Sequence, residues 1–122
     1  MTTIELTDTM LIVHVEGFDK ILALKSQLQV PLSHVVDAEI DPNIGEEFRR
    51  LYVGLKAPGT GLPGVVRAGT WYTNEGKVFW DIHHPENAIT IHLADDNYNK
   101  LLIEVDNPVA AVAAIQEAIG RR

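Results

Sequence analysis

Residues 69–120 read GTWYTNEGKVFWDIHHPENAITIHLADDNYNKLLIEVDNPVAAVAAIQEAIG, and this stretch decides the fold. Short runs rich in β-branched and aromatic residues alternate in it with turn residues, a pattern typical of antiparallel strands. Asn107 and Pro108 favour the start of a helix, because asparagine can accept a hydrogen bond from a free helical N–H and proline lacks the N–H that would go unpaired there. The stretch therefore predicts four strands followed by one helix that ends at Gly120. The predicted buried stripe of that helix is Val109, Val112, Ile115 and Ile119.

The last two predicted strands, 88–93 and 101–105, show the clearest alternation of apolar and polar residues. Side chains of a strand point alternately to opposite faces, so one face of this strand pair is predicted to form the core. The predicted core residues are Ile89, Ile91, Leu93, Leu101, Ile103 and Val105. The residues predicted to face outward are Thr90, His92, Leu102 and Glu104.

The chain upstream of residue 69 adds three shorter strands. Residues 4–6 and 11–15 predict a hairpin, and residues 32–40 predict a half-buried strand. Apolar spacing predicts short helices near 19–27 and 45–52, and the glycine and proline residues of 56–64 predict a loop. The whole chain, residues 1–122, is thus predicted to be one mainly β domain with seven antiparallel strands and a C-terminal helix.

Composition limits the classes of partner. The 122 residues carry a formal net charge of −7, which disfavours binding to nucleic acid or to an anionic membrane surface. The chain contains no cysteine, so disulfides and thiol chemistry are excluded. The first residues, MTTIELTD, lack the basic and apolar segments of a signal peptide, which leads us to expect a cytoplasmic protein.

Residues 91–115, IHLADDNYNKLLIEVDNPVAAVAAI, contain a strand, an acidic turn, a second strand and an Asp-Asn-Pro entry into a helix. This segment resembles the end of bacterial pleckstrin-homology-like (PH-like) domains, and the resemblance extends through residues 32–40 and 69–80. It implies a bent, seven-stranded barrel capped by the last helix. Most domains of this family are binding or assembly modules rather than enzymes.

The family resemblance carries over no ligand residue to this chain. Many eukaryotic relatives hold inositol phosphates with basic residues that flank the first hairpin loop. That loop is here Thr7-Asp8-Thr9, which carries an acid instead. Phosphoinositide binding is therefore not expected.

Motifs that carry chemistry are weak in this sequence. Gly59, Gly61 and Gly64 spell G-x-G-x-x-G, but a strand rather than a helix is predicted to follow, so the nucleotide-binding context is missing. His83, His84 and His92 lie in one predicted hairpin, where neighbouring residues point to opposite faces and do not easily converge on a metal ion. We expect no cofactor and no metal. A hydrolase that uses His83 or His84 remains a remote alternative, because no nucleophile motif surrounds either serine.

Four side chains suggest a contact surface. If the loop 74–76 pairs Thr73 with Lys77, then the next hairpins place four side chains side by side on the outer sheet face. They are Trp71, Phe79, His92 and Leu102. A shift of one residue in the first hairpin would instead turn Trp71 inward.

Two functions follow from these patterns. The first is association with a protein partner or with copies of the same chain through the four outward side chains, since exposed aromatic residues usually mark a contact. The alternative is a small-molecule pocket at the open end of the barrel near the 56–64 loop, where Lys56 or Arg67 would supply a positive charge.

Overall fold

Two sheets and one helix form the architecture of the described residues, and all but one of the strand pairs are antiparallel. The computed structural model describes residues 2–16, 26–40, 55–56, 68–73, 76–82 and 84–121. The strands are β1 (Thr2–Leu6), β2 (Met10–Val15), β3 (Gln27–Pro31), β4 (Val35–Glu39), β5 (Leu55–Lys56), β6 (Ala68–Thr73), β7 (Gly76–Asp81), β8 (Ala88–Leu93) and β9 (Lys100–Glu104), followed by helix α1 (Pro108–Arg121). Short 3-10 turns cover Leu32–His34 and Pro85–Asn87. The chain is thus mainly β with one C-terminal helix, as predicted.

The nine described strands form two open sheets and not the closed, seven-stranded barrel that was predicted. The first sheet has three strands in the order β1-β2-β3, and the second has six in the order β4-β8-β9-β7-β6-β5. The strand predicted over 32–40 is shortened to β4, because residues Leu32–His34 form a 3-10 turn between β3 in the first sheet and β4 in the second. The predicted helix 45–52 and most of the predicted helix 19–27 lie outside the described residues. Within the latter range, Gln27 begins a strand.

The pairing of β7 differs from the predicted antiparallel order. β7 runs parallel to β9, with Trp80 opposite Leu102, whereas β8 pairs with β9 and β4. The connection from β7 to β8 therefore passes the end of β9. It is held there by hydrogen bonds from the backbone N–H of His84 to Glu104 Oε1 (3.0 Å) and from the N–H of Val105 to the carbonyl oxygen of Asn87 (3.0 Å).

The first hairpin of the large sheet is also shifted from its predicted register. Thr73 pairs with Gly76, and Trp71 consequently pairs with Val78. Gly76 has a φ of 100°, which side chains disfavour, and a Cβ at this position would collide with the side-chain amide of Asn99. The glycine thus belongs to the strand pair and not to the loop, which makes the loop one residue shorter than predicted.

The main core lies between the two sheets and helix α1. The small sheet contributes Leu11, Val13 and Leu28, and the large sheet contributes the six residues predicted from its alternation. The helix adds Ile115 and Ala118. The hydroxyl of Thr2 also donates a hydrogen bond of 2.9 Å to the carbonyl oxygen of Glu104, which ties β1 to β9.

Helix α1 begins as the sequence indicates. Pro108 is its first residue, and the side chain of Asn107 accepts a hydrogen bond of 3.1 Å from the N–H of Ala110. The buried stripe is rotated relative to the predicted one, because Val109 is exposed. Val109 precedes Ile115 by six residues, which at 3.6 residues per turn places it about 120° away around the helix.

Candidate ligand-binding site

The side chains predicted to form an outer contact surface are mostly buried. Trp71 is 3% exposed, and Phe79 and Leu102 are 0% exposed. The prediction that these three side chains are exposed on an outer contact surface is therefore wrong. His92 is half-buried, and its Nε2 lies 3.1 Å from Glu39 Oε1.

Pairing explains why these residues do not form one stripe. Because β7 pairs with β9 and not with β8, Phe79 lies opposite Leu101 and belongs to the main core. Trp71 and Leu102 lie on the other side of the sheet. The neighbours Phe79 and Trp80 are thus both buried, one on each face of the large sheet.

We call the side of the large sheet that faces away from the main core the second face. Six of its apolar side chains form a second buried cluster: Trp71, Val78, Trp80, Ile82, Ala88 and Leu102. In the middle of this face Trp80 lies between Leu102 on β9 and Gly69 on β6. Gly69 has a φ of 149°, a backbone conformation that favours glycine.

Two polar groups of the second face are buried without compensation. Within the described part of the chain, the indole N–H of Trp71 and the hydroxyl of Thr90 have no hydrogen-bond partner. Thr90 is 1% exposed. A buried polar group without a partner costs about 1–3 kcal/mol of stability, so each of these atoms calls for an explanation.

The opposite face of the same sheet shows how a buried threonine is normally accommodated. The hydroxyls of Thr70 and Tyr98 share a hydrogen bond of 2.8 Å, and the ring of Tyr98 meets Phe79 edge-on at 6.0 Å between centroids. Burial raises the pKa of Tyr98 above its ordinary value, and the hydrogen bond from Thr70 offsets part of that rise. The buried hydroxyl of Thr70 therefore has a hydrogen-bond partner, whereas the buried hydroxyl of Thr90 has none among the described residues.

The two unpaired groups lie at opposite ends of an apolar surface. Thr90 pairs with Leu102, and Trp71 lies on β6, three strand spacings from β8. At about 4.8 Å per spacing this separation is about 14 Å. The buried side chains of Leu102, Val78 and Trp80 lie between them. This arrangement fits an elongated, mainly apolar molecule with polar atoms towards its ends.

The two sequence-predicted pocket residues are Lys56 and Arg67, and the structure describes only the backbone of Lys56. Lys56 on β5 is the register partner of Trp71. Arg67 and residues 57–64, which include the glycine motif, lie outside the described residues. Sequence reasoning missed Thr90 as a site residue, although its alternation with Ile89 and Ile91 already assigned it to the face opposite the core.

His84 has a structural partner. Its Nδ1 lies 3.1 Å from Glu104 Oε2, and the same buried carboxylate accepts its backbone N–H. This pair fastens the connection that passes the end of β9, which gives both residues a structural role. His83 lies outside the described residues, so the hydrolase hypothesis stays a prediction.

The remaining histidines also contact single carboxylates. His14 lies 3.0 Å from Glu5, and His34 lies 2.9 Å from Asp96. Within the described ranges, no group of three or more histidine and acidic side chains could hold a metal ion.

Comparison with known proteins adds no relative: no protein-family model, no curated protein and no solved structure matches this chain. The PH-like resemblance therefore stays a prediction. In the part of the chain that the structure describes, no helix has both the length and the apolar character needed to cross a membrane.

Proposed function

We propose that this protein is a non-enzymatic binding module whose ligand is a small, mainly apolar molecule bound on the second face of the large sheet. The observation that carries the proposal is the pair of buried, unpaired polar groups, Trp71 Nε1 and Thr90 Oγ1, among the described residues of that face. A ligand that enters this buried cluster would supply the missing partners and contact the apolar side chains between them. Buried apolar surfaces with a few placed polar groups are typical of small-molecule sites.

The chemistry of the two groups limits the ligand. An indole N–H can only donate, so the ligand needs a hydrogen-bond acceptor at the Trp71 end. The hydroxyl of Thr90 can donate or accept, which leaves the other end less restricted. A carboxylate or a sulfonate provides such an acceptor.

The edge strand β5 offers a route to this buried surface. It consists of two residues paired with β6, so few hydrogen bonds hold it against Trp71. Segments with few pairing hydrogen bonds open at a lower cost than central strands. Displacement of β5 would free the edge of β6, the strand that carries Trp71.

Binding can be tested with anilinonaphthalene sulfonate, an aromatic anion, and with a panel of aromatic and aliphatic carboxylates. We expect a saturable complex with the native protein and a higher melting temperature, since a ligand selective for the folded state at 100 times its Kd stabilises it by about 2.7 kcal/mol. Trp71→Phe should weaken the affinity about fivefold, the value of one hydrogen bond near 1 kcal/mol.

The matched control is Tyr72→Phe, which changes a neighbouring exposed residue of β6. We expect this variant to bind like the wild type. Equal affinities for Trp71→Phe and the wild type, or a panel in which no compound raises the melting temperature, would contradict the proposal.

A protein partner or a homo-oligomer is the other function predicted from sequence. Such an interface would have to use residues other than the buried Trp71, Phe79 and Leu102. The large apolar side chains that are exposed among the described residues are Val36, Ile40, Tyr72 and Val109. Light scattering on the pure protein measures whether it self-associates.

A further inference from the structure

One edge of the large sheet is covered by side chains of its own chain. β4 lies at the end of the strand order and pairs with β8. On an edge strand, the N–H and C=O groups that point away from the sheet can pair with another strand. Ala38 presents such a pair of groups.

Both outward groups of Ala38 are bound by side chains. Its N–H donates to Asp37 Oδ1 at 2.8 Å, and its carbonyl oxygen accepts a hydrogen bond of 3.0 Å from Gln116 Nε2 on helix α1. Gln116 Nε2 also lies 3.3 Å from Asp37 Oδ1, which joins the two side chains. Together they reproduce the N–H and C=O contacts that a residue of an antiparallel neighbour would make.

The residues on either side of Ala38 make this edge attractive to a second copy of the chain. Val36 and Ile40 are exposed apolar residues with high β propensity. If two β4 strands paired antiparallel about Ala38, Val36 of each copy would lie opposite Ile40 of the other. Cross-strand pairs of this kind stabilise a sheet.

We propose that Asp37 and Gln116 form an edge guard that prevents β4 from pairing with β4 of a second copy. Asp37 acts in two ways, because in that pairing it would also face Glu39 of the other copy, and like charges directly opposite each other are destabilising. A register shift between Val35 and Asp37 further interrupts the ladder at this edge. Loss of the guard therefore produces a symmetric dimer through β4.

The test compares the association of Gln116→Ala and of the double variant Asp37→Thr/Gln116→Ala with that of the wild type by sedimentation velocity. We expect the double variant to self-associate at least tenfold more tightly than the wild type. Glu117→Ala is the matched control, because Glu117 is exposed on the same helix and pairs with Arg121. This control should behave like the wild type.

Two further measurements identify the surface. Adding Val36→Lys to the double variant should reverse the association, since a lysine on an edge strand opposes strand pairing. Because the chain has no cysteine, Val36→Cys and Ile40→Cys in the double variant should form a disulfide between copies under mild oxidation. If the double variant does not fold, the same additions to Gln116→Ala carry the test.

The guard is refuted if the folded variants associate no more tightly than the wild type. It is equally refuted if the association persists with Val36→Lys. Neither result bears on ligand binding at the second face, which uses different strands.

Discussion

Replacing Thr90 by valine should stabilise the free protein. The hydroxyl of Thr90 is buried and has no hydrogen-bond partner in the described part of the chain. No hydrogen bond therefore offsets the cost of removing this group from water in the folded state. Valine has nearly the same shape, keeps a branched Cβ suited to a strand and removes the polar atom. We expect the free energy of unfolding to rise by about 1–3 kcal/mol, the cost of an unsatisfied buried group.

The same substitution at Thr70 provides the control. Thr70 is 9% exposed and shares its hydrogen bond with Tyr98, so Thr70→Val leaves the buried hydroxyl of Tyr98 without that partner. This variant should lose about 1–2 kcal/mol. The two chemically identical changes on one sheet should therefore shift stability in opposite directions.

Urea and thermal unfolding measure both variants. For a chain of this size, a change of 1 kcal/mol moves the melting temperature by about 4 °C, so the two variants should be clearly separated. A loss of stability of more than about 1 kcal/mol in Thr90→Val would show that the hydroxyl is well satisfied in solution. The second face would then lack the unsatisfied hydroxyl with which a ligand could pair.

The remaining predictions concern titration and the crossing connection. Tyr98 holds its proton more tightly in the folded state, because burial raises its pKa above the ordinary value of 10.0. Tyr98 of the unfolded chain ionises first, so the free energy of unfolding should fall as the pH rises above about 10. The fall should be steeper in the wild type than in Tyr98→Phe. Equal dependence of the free energy of unfolding on pH in the two proteins, measured by urea unfolding at alkaline pH, would contradict this. Glu104→Ala should cost about 1–3 kcal/mol, since it removes the buried acceptor of two hydrogen bonds. His84→Ala should lower the free energy of unfolding by less than about 1 kcal/mol, because the imidazole is exposed. Chemical denaturation of the two variants measures how much each partner of this pair stabilises the fold.

Local features of the fold could be predicted from sequence. The alternation in β8 and β9 correctly identified the residues of those strands that line the main core. The Asn107-Pro108 pair correctly marked the start of the helix. Both signals arise from a few neighbouring residues, and tertiary contacts do not override them here.

Pairing between strands could not be predicted in the same way. Consecutive strands are neighbours in about two thirds of cases, so β7 and β8 were expected to form a hairpin. The structure instead places β9 between them, and the contact that fixes this order joins His84 to Glu104, residues 20 positions apart in sequence. Nothing in the local pattern of either residue indicates that contact.

The one-residue shift in the β6–β7 hairpin had the larger effect on the predicted site. Gly76 was assigned to the loop because glycine is common there, whereas in the structure it is the first residue of β7 and pairs with Thr73. Since side chains alternate, a shift of one residue reassigns every pair in the hairpin. Trp71 thus faces Val78 instead of Phe79.

The polar residues of the second face separate into those with a structural role and those without one. On a buried sheet face polar residues are retained only where a partner offsets their desolvation. Glu104 fastens the connection between β7 and β8, and His92 contacts Glu39 at the half-buried margin. Thr90 and the indole N–H of Trp71 have no comparable role among the described residues. If a ligand is their partner, then Thr90→Val should stabilise the free protein and weaken the complex at the same time, whereas a purely structural threonine would change stability alone.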